Sequence, residues 1–193
     1  MPTLTKQIPR PVALFFIKAL VLFIAWKLAY LSFLQPKRVL DGPLTRLVGH
    51  STGQVLDMTA RRPDGYSVTM VMDTVYMEGR AFRSPAVDIY RNDQRTLRVA
   101  DACNGLELMV LYLGFLICFP ALLRKKLEFA LAGLILIYFL NIIRCVALVE
   151  IFIHYNKYVD VSHHFVFTFI VYAFIFLLWY FFTKNLRLNG RPS

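Results

Sequence analysis

Charge is scarce in this chain: Asp, Glu, Lys and Arg together make up only 18% of its 193 residues. Hydrophobic residues account for 58% and aromatics for 15%, well above the ~45–50% apolar content of a soluble domain. That balance excludes an ordinary soluble domain and places the chain in a lipid bilayer. Cysteine and histidine are also sparse. The three cysteines form no C-x-x-C pair and the four histidines no H-x-x-x-H pair, so a zinc site has no support in the spacing. Internal repeats and low-complexity segments are absent, and 193 residues is short for a transporter built from inverted repeats. Acidic residues are the minority, leaving a net charge of +10. The basic residues are scattered over loops and helix ends, not gathered in an aromatic-interleaved stripe, which argues against nucleic acid as a partner.

Four stretches reach the ~20 mostly apolar residues that a spanning helix needs. They run from about Pro11 to Leu34, Leu106 to Leu123, Leu127 to Ile153 and His164 to Phe182. The first follows Lys6 and Arg10 as a signal peptide would, but it is too long for a usual apolar region and no A-x-A site follows, so a retained helix is expected. Lys18 and Lys27 within it can snorkel to opposite interfaces. The short loops set orientation. Arg124, Lys125 and Lys126 fill one tight connection, and Lys184, Arg187 and Arg191 follow the last helix; both belong on the cytoplasmic side of a cell inner (plasma) membrane, as do both termini.

The expected fold is therefore mainly α: an integral membrane, four-helix transmembrane bundle with a small β-rich extracytoplasmic insert. Its parts are a cytoplasmic N-terminus and first helix (1–34), the insert (35–102), a three-helix catalytic core (103–183) and a cytoplasmic tail (184–193). Within the insert, Ser67–Tyr76 is rich in β-branched residues, and Ala86–Tyr90 and Thr96–Ala100 flank a turn at Arg91-Asn92-Asp93-Gln94. Asp41 to Pro63, with its Gly, Pro, Ser and Thr, reads as loop. The sheet leads directly into Cys103, so the insert is expected to border a substrate entrance.

Ionisable groups in membrane segments are costly and mark functional sites by default. Cys103 lies where the chain re-enters the bilayer, His164 opens the last helix from the same side, and Arg144 lies nine residues before Ile153, or ~14 Å below that exit at 1.5 Å per residue. A thiol is nucleophilic as the thiolate, which helix N-termini and nearby cations favour. Asn104 and Glu107 have the N-x-x-E spacing of a capping box, which would put Cys103 just ahead of a helix. His164 suits proton transfer, toward the thiol as base and toward a leaving amine as acid. Arg144, always charged, suits a developing oxyanion, and Asn141 one turn earlier could orient it. His163, in tandem with His164, is a supporting candidate. Cys118 and Cys145 read as packing residues.

Ala102-Cys103-Asn104-Gly105-Leu106 at the head of one helix, Asn141-Ile142-Ile143-Arg144 on the next and His164 opening the last resemble the exosortase and archaeosortase group of membrane cysteine transpeptidases, over about Ala100 to Phe182. The resemblance implies a cysteine nucleophile, an assisting helical arginine and a completing histidine, with no metal or organic cofactor. Its expected partners are the bilayer, membrane-anchored proteins bearing a C-terminal sorting signal, and an acceptor molecule that the sequence does not identify. Asn104, where such proteins often carry Ser, and a single helix ahead of the insert are departures from the pattern. Two rival readings remain beside it. A quinone-linked thiol oxidoreductase would need paired exposed cysteines, and Cys118 lies fifteen residues beyond Cys103, ~22 Å along a helix. A non-enzymatic membrane assembly or scaffold protein would use the polar residues only to fix helix packing.

Overall fold

The computed structural model describes residues 10–59, 65–77 and 80–189. Lys6 and Arg191, used above for orientation, lie outside the described residues, as does Pro63. Helix α1 (Arg10–Ala29) continues through a π-helical turn, Tyr30–Leu34, and a last turn, Gln35–Lys37. Beyond Arg10, and apart from Lys18 and Lys27, it is apolar, and it presents Phe16, Leu20 and Phe23 outward, as a lipid-facing helix does. Its bundle contact runs through Phe15, whose ring sits 5.6 Å from Phe115 and 6.4 Å from Phe119. Arg38, at φ 48°, then turns the chain sharply.

The segment expected as loop is instead helix α2, Asp41–Thr59. Its glycines and hydroxyl residues are poor helix formers in isolation, but tertiary packing overrides propensity here. Thr45, Val48, Gly49, Thr52, Gly53 and Leu56 form one buried stripe at helical spacing. The two glycines let the helix lie directly on the sheet. A Cβ on Gly49 would come within 2.5 Å of the Val87 Cβ, and one on Gly53 within 2.2 Å of Val68 Cγ2. The insert is thus half helical, and not simply β-rich.

Strands β1 (Tyr66–Met77), β2 (Arg80–Arg91) and β3 (Gln94–Val99) form an antiparallel sheet in that order. The β2–β3 turn is Asn92-Asp93, with φ of 49° and 59°. Two positive φ values are what a tight type I′ hairpin demands, and Asn and Asp tolerate them best. Asp88 faces Arg98 across the hairpin. Its carboxylate takes hydrogen bonds from Arg98 Nε at 2.7 Å and Nη2 at 2.8 Å. Burial alone would raise the Asp88 pKa, but the bonds and charge of Arg98, helped by Arg95, outweigh it and hold the carboxyl below its ordinary range.

A 3₁₀ turn, Asp101–Cys103, leads into α3 (Leu106–Cys118), followed by α4 (Leu123–Tyr155), short irregular turns, a π-helical turn at Ser162–Val166, and α5 (Phe167–Asn189). Among the described residues, three helical stretches are long and apolar enough to cross a membrane: Val12–Lys37, Leu123–Tyr155 and Phe167–Lys184. The fourth expected span falls short. Phe119 is extended, with ψ 135°, as the residue before Pro120 must be. Helix α3 therefore stops after 13 residues, or ~20 Å against a hydrocarbon core of ~30 Å.

Two cores hold the chain. In the bundle, Tyr112 and Leu116 of α3, Ile137 of α4, and Val171, Ile175 and Phe182 of α5 are buried together. In the other, Val48 and Leu56 of α2 and Val87, Ile89 and Val99 of the sheet close over Cys145 and Val149 of α4, with Cys103 packed against them. Helix α4 belongs to both.

Two consequences can be measured. Gly49→Ala gains helix propensity worth ~1 kcal/mol but overpacks Val87, a cost of ~1–3 kcal/mol, so a lower thermal midpoint in detergent is expected; an equal or higher midpoint would show that the sheet can yield. Because the Asp88 pKa is depressed on folding, its stabilisation is present above the unfolded value of ~3.9 and is lost as pH falls through the lower folded value. Amide exchange in β2 and β3 should accelerate below about pH 4, and Asp88→Asn should abolish that pH step.

Candidate functional site

The site is built on the turn that joins sheet to bundle. Cys103 ends the 3₁₀ turn, its amide donating to Ala100 O at 2.9 Å and the Asn104 amide to Asp101 O at 3.2 Å. Gly105 follows at φ 85°, a left-handed conformation in which a side chain would be strained. Space is also short there, since a Cβ on Gly105 would lie 3.4 Å from the Asn141 amide. Asn104 accepts from the Leu106 amide at 2.8 Å through its own Oδ1, an Asx turn that starts α3. Asn141 Nδ2 reaches across from α4 and donates to the Cys103 carbonyl at 2.9 Å.

Three polar atoms meet beside this turn. Cys103 Sγ lies 3.5 Å from His163 Nε2, and Arg144 Nη2 lies 3.1 Å from the same nitrogen. A guanidinium only donates, so Nε2 is an acceptor and the ring is neutral with its proton on Nδ1. The thiol and the guanidinium thus share one lone pair. Among the described residues Arg144 has no carboxylate partner: Glu107 is exposed, and Glu150 sits 3.5 Å from His154 Nδ1. Arg144 Nε is buried with no hydrogen-bond partner, as is Asn141 Oδ1, and such groups are rare unless something else is meant to meet them.

Depth is consistent across the three. Lys126 to Arg144 spans eighteen residues of α4, or ~27 Å, nearly the full hydrocarbon thickness of ~30 Å. Arg144 therefore sits on the side of the bundle away from Arg124–Lys126, which the sequence placed in a connection and the structure places in the first turn of α4. Cys103 and His163 stand at the ends of α3 and α5 on that same side.

The structure treats the sequence candidates unequally. Cys103 and Arg144 both touch His163, the supporting candidate. The backbone of His164 lies in the same π-helical turn, and its side chain lies outside the described residues. Asn141 bonds the cysteine backbone, where the sequence suggested an orienting contact with Arg144. The capping box does not form: Gly105 takes the N-cap position, Asn104 bonds two residues ahead, and Glu107 points away. Sequence reasoning missed Asp41, Thr45, Arg38 and Asp101, which surround the turn. Asp41 Oδ1 and Thr45 Oγ1 accept from Asn104 Nδ2 at 3.1 and 3.2 Å, and Thr45 Oγ1 donates to Asp101 Oδ1 at 2.8 Å. Leu44, Val48, Thr52 and Leu56, spaced by four behind an Asp-Gly-Pro start, were the signal that could have revealed α2 and with it these residues.

Cys118 and Cys145 are buried and Cys103 is only partly so. A bulky membrane-impermeant maleimide should add once per folded chain, and Cys103→Ala should take up none; modification at a second cysteine would contradict this burial pattern.

Comparison with known proteins bears on this arrangement. No curated protein and no solved structure matches the chain. A family model described as "Transmembrane exosortase" matches residues 8–181, a range that includes every residue of the site just described. The chain belongs to the transmembrane exosortase family.

Proposed function

We propose that this protein is a membrane-embedded cysteine transpeptidase that cuts C-terminal sorting signals from membrane-anchored proteins at the extracytoplasmic interface and passes the remainder to an acceptor. The observation that carries the reading is the meeting of thiol, imidazole and guanidinium at His163 Nε2. Family membership supports a transpeptidase-like role in general, and these three groups supply its parts.

In the proposed sequence, His163 Nε2 takes the thiol proton and Cys103 Sγ attacks the carbonyl carbon of the scissile peptide. Arg144 leaves the ring nitrogen as it is protonated, because two cationic groups repel, and turns to the oxyanion of the tetrahedral intermediate. The C–N bond breaks, the Nε2 proton passes to the leaving amine, and the tail helix departs with it. The substrate is left as a thioester on Cys103. An acceptor nucleophile, or water, then attacks that carbonyl and gives its proton to Nε2, which returns it to the departing sulfur. A site at the interface allows a spanning substrate to present its juxtamembrane bond without leaving the bilayer.

In this reading the working imidazole is His163, and not its neighbour His164. Consecutive helical residues point ~100° apart, so only one of the tandem can face Cys103. The test is a blot for uncut substrate in cells. Cys103→Ala and His163→Ala should leave the substrate uncut, and Arg144→Lys should lower kcat by ~10²–10³-fold, the usual effect of losing an oxyanion donor. His164→Ala should retain more activity than His163→Ala; the opposite order would return the role to His164. Normal processing by Cys103→Ala would favour the scaffold reading and end the enzymatic one.

A further inference from the structure

The residues on either side of Cys103 are gripped by a polar cluster that comes from a distant part of the chain. Asp101, two residues before, takes hydrogen bonds from Arg38 Nε at 3.0 Å, from Arg38 Nη2, and from the Thr45 hydroxyl at 2.8 Å. Asn104, one residue after, donates to Asp41 and to Thr45. Asp41 is itself fixed on its other oxygen by Tyr30 Oη at 2.9 Å. At its centre the bonds interlock: the Thr45 oxygen accepts from Asn104 and donates to Asp101, and the two Asp41 oxygens take one bond each. Asp41 and Thr45 are 2% exposed and Asn104 is 1% exposed.

Burial of this much polarity is costly unless the bonds are made, and α2 has no need of it for packing, since Val48, Gly49, Gly53 and Leu56 already seat it on the sheet. The bonds of Asp41, Thr45 and Arg38 converge on the nucleophile turn, with Tyr30 steadying Asp41 from behind. Asn104 acts on both sides: its Oδ1 sets the turn through the Leu106 amide and its Nδ2 ties that turn to α2. Asn141 holds the carbonyl of Cys103 itself from α4. The turn is thus fixed before, at and after the sulfur-bearing residue by three different helices or their ends.

We propose that Asp41 and Thr45, at the head of α2, are positioning residues that hold Cys103 Sγ in register with His163, acting through Asn104 and Asp101. The proposal rests on Cys103 being the nucleophile. A displacement of about 1 Å at reacting atoms can cost ~100-fold in rate, and the turn's own backbone bonds are two 3₁₀ bonds ahead of the left-handed Gly105, so contacts from outside are needed to hold it further.

The experiment uses the full-length protein in membranes with a cleavable substrate carrying a sorting signal, and measures kcat, KM and the rate of Cys103 alkylation by maleimide without substrate. Asp41→Ala should lower kcat by about 10- to 100-fold with KM within about 2-fold and with Cys118 and Cys145 still shielded. Asp41→Asn keeps Oδ1 as the acceptor for Asn104 and turns its NH2 to donate to the Tyr30 oxygen, so it should recover most of the loss. Thr45→Val removes the hydroxyl at nearly constant volume and should lower kcat in the same way. An unchanged kcat in Asp41→Ala, a loss confined to KM, or no recovery in Asp41→Asn would overturn the proposal. If Asp41→Ala instead exposes Cys118 and Cys145, its role is structural and Thr45→Val decides: wild-type kcat there overturns the proposal and a fall in kcat with buried cysteines shielded upholds it. The alkylation arm separates the two readings. Slower Cys103 alkylation in Thr45→Val alongside normal processing by Cys103→Ala would show that the contacts hold the thiol in place but that Cys103 is not the nucleophile, which overturns the proposal together with the transpeptidase reading.

Discussion

Helix α4 is longer than the membrane is thick, and the architecture of the site follows from that mismatch. Its 33 residues measure ~50 Å against a hydrocarbon core of ~30 Å. The surplus carries apolar residues that would be a liability in water if left uncovered. The insert answers this by laying Val87, Val99 and Val48 over Cys145 and Val149. One unbroken helix therefore enters the bundle core at Ile137 and the insert core at Val149, and Asn141 and Arg144 lie between them. The site occupies the seam where two cores are joined by a single element, so neither core can shift against the other without bending α4.

The same geometry bears on charge. A guanidinium at the bilayer centre is costly, and ionisable groups there face the bundle interior or pair. Arg144 meets an imidazole nitrogen, and among the described residues no carboxylate. A neutral acceptor leaves the cationic charge uncompensated among the described residues. A carboxylate in the same place would neutralise it permanently.

Much of this was legible in the sequence. Hydropathy revealed the membrane segments because the bilayer selects for length and apolarity, and the β2–β3 hairpin announced itself through Asn92-Asp93, which suit positive φ. Cys103 and Arg144 stood out because polar residues are rare in such segments. Helix α2 did not, since Gly42, Pro43, Gly49 and Gly53 signal turns locally and become helical only when the sheet supplies their contacts. The short α3 was hidden because its apolar run continues through Leu122 and Leu123 after Pro120 has ended the helix. Gly105 likewise upset the capping-box reading, because its left-handed φ moves the helix start one residue past Asn104. Which of two adjacent histidines faces the thiol depends on a rotation that no periodicity records when the helix is irregular at that point.

That irregularity is the π-helical turn Ser162–Val166. A π turn carries one residue more than an α turn over the same rise, and such turns recur at functional sites. Phasing between His163 and α5 is therefore set by that extra residue. Deleting it would restore α geometry and swing the preceding backbone by ~100°, carrying the imidazole off the sulfur while α5 kept every contact it makes in the bundle. Chain length in this turn thus fixes where His163 points as much as the residue's identity does.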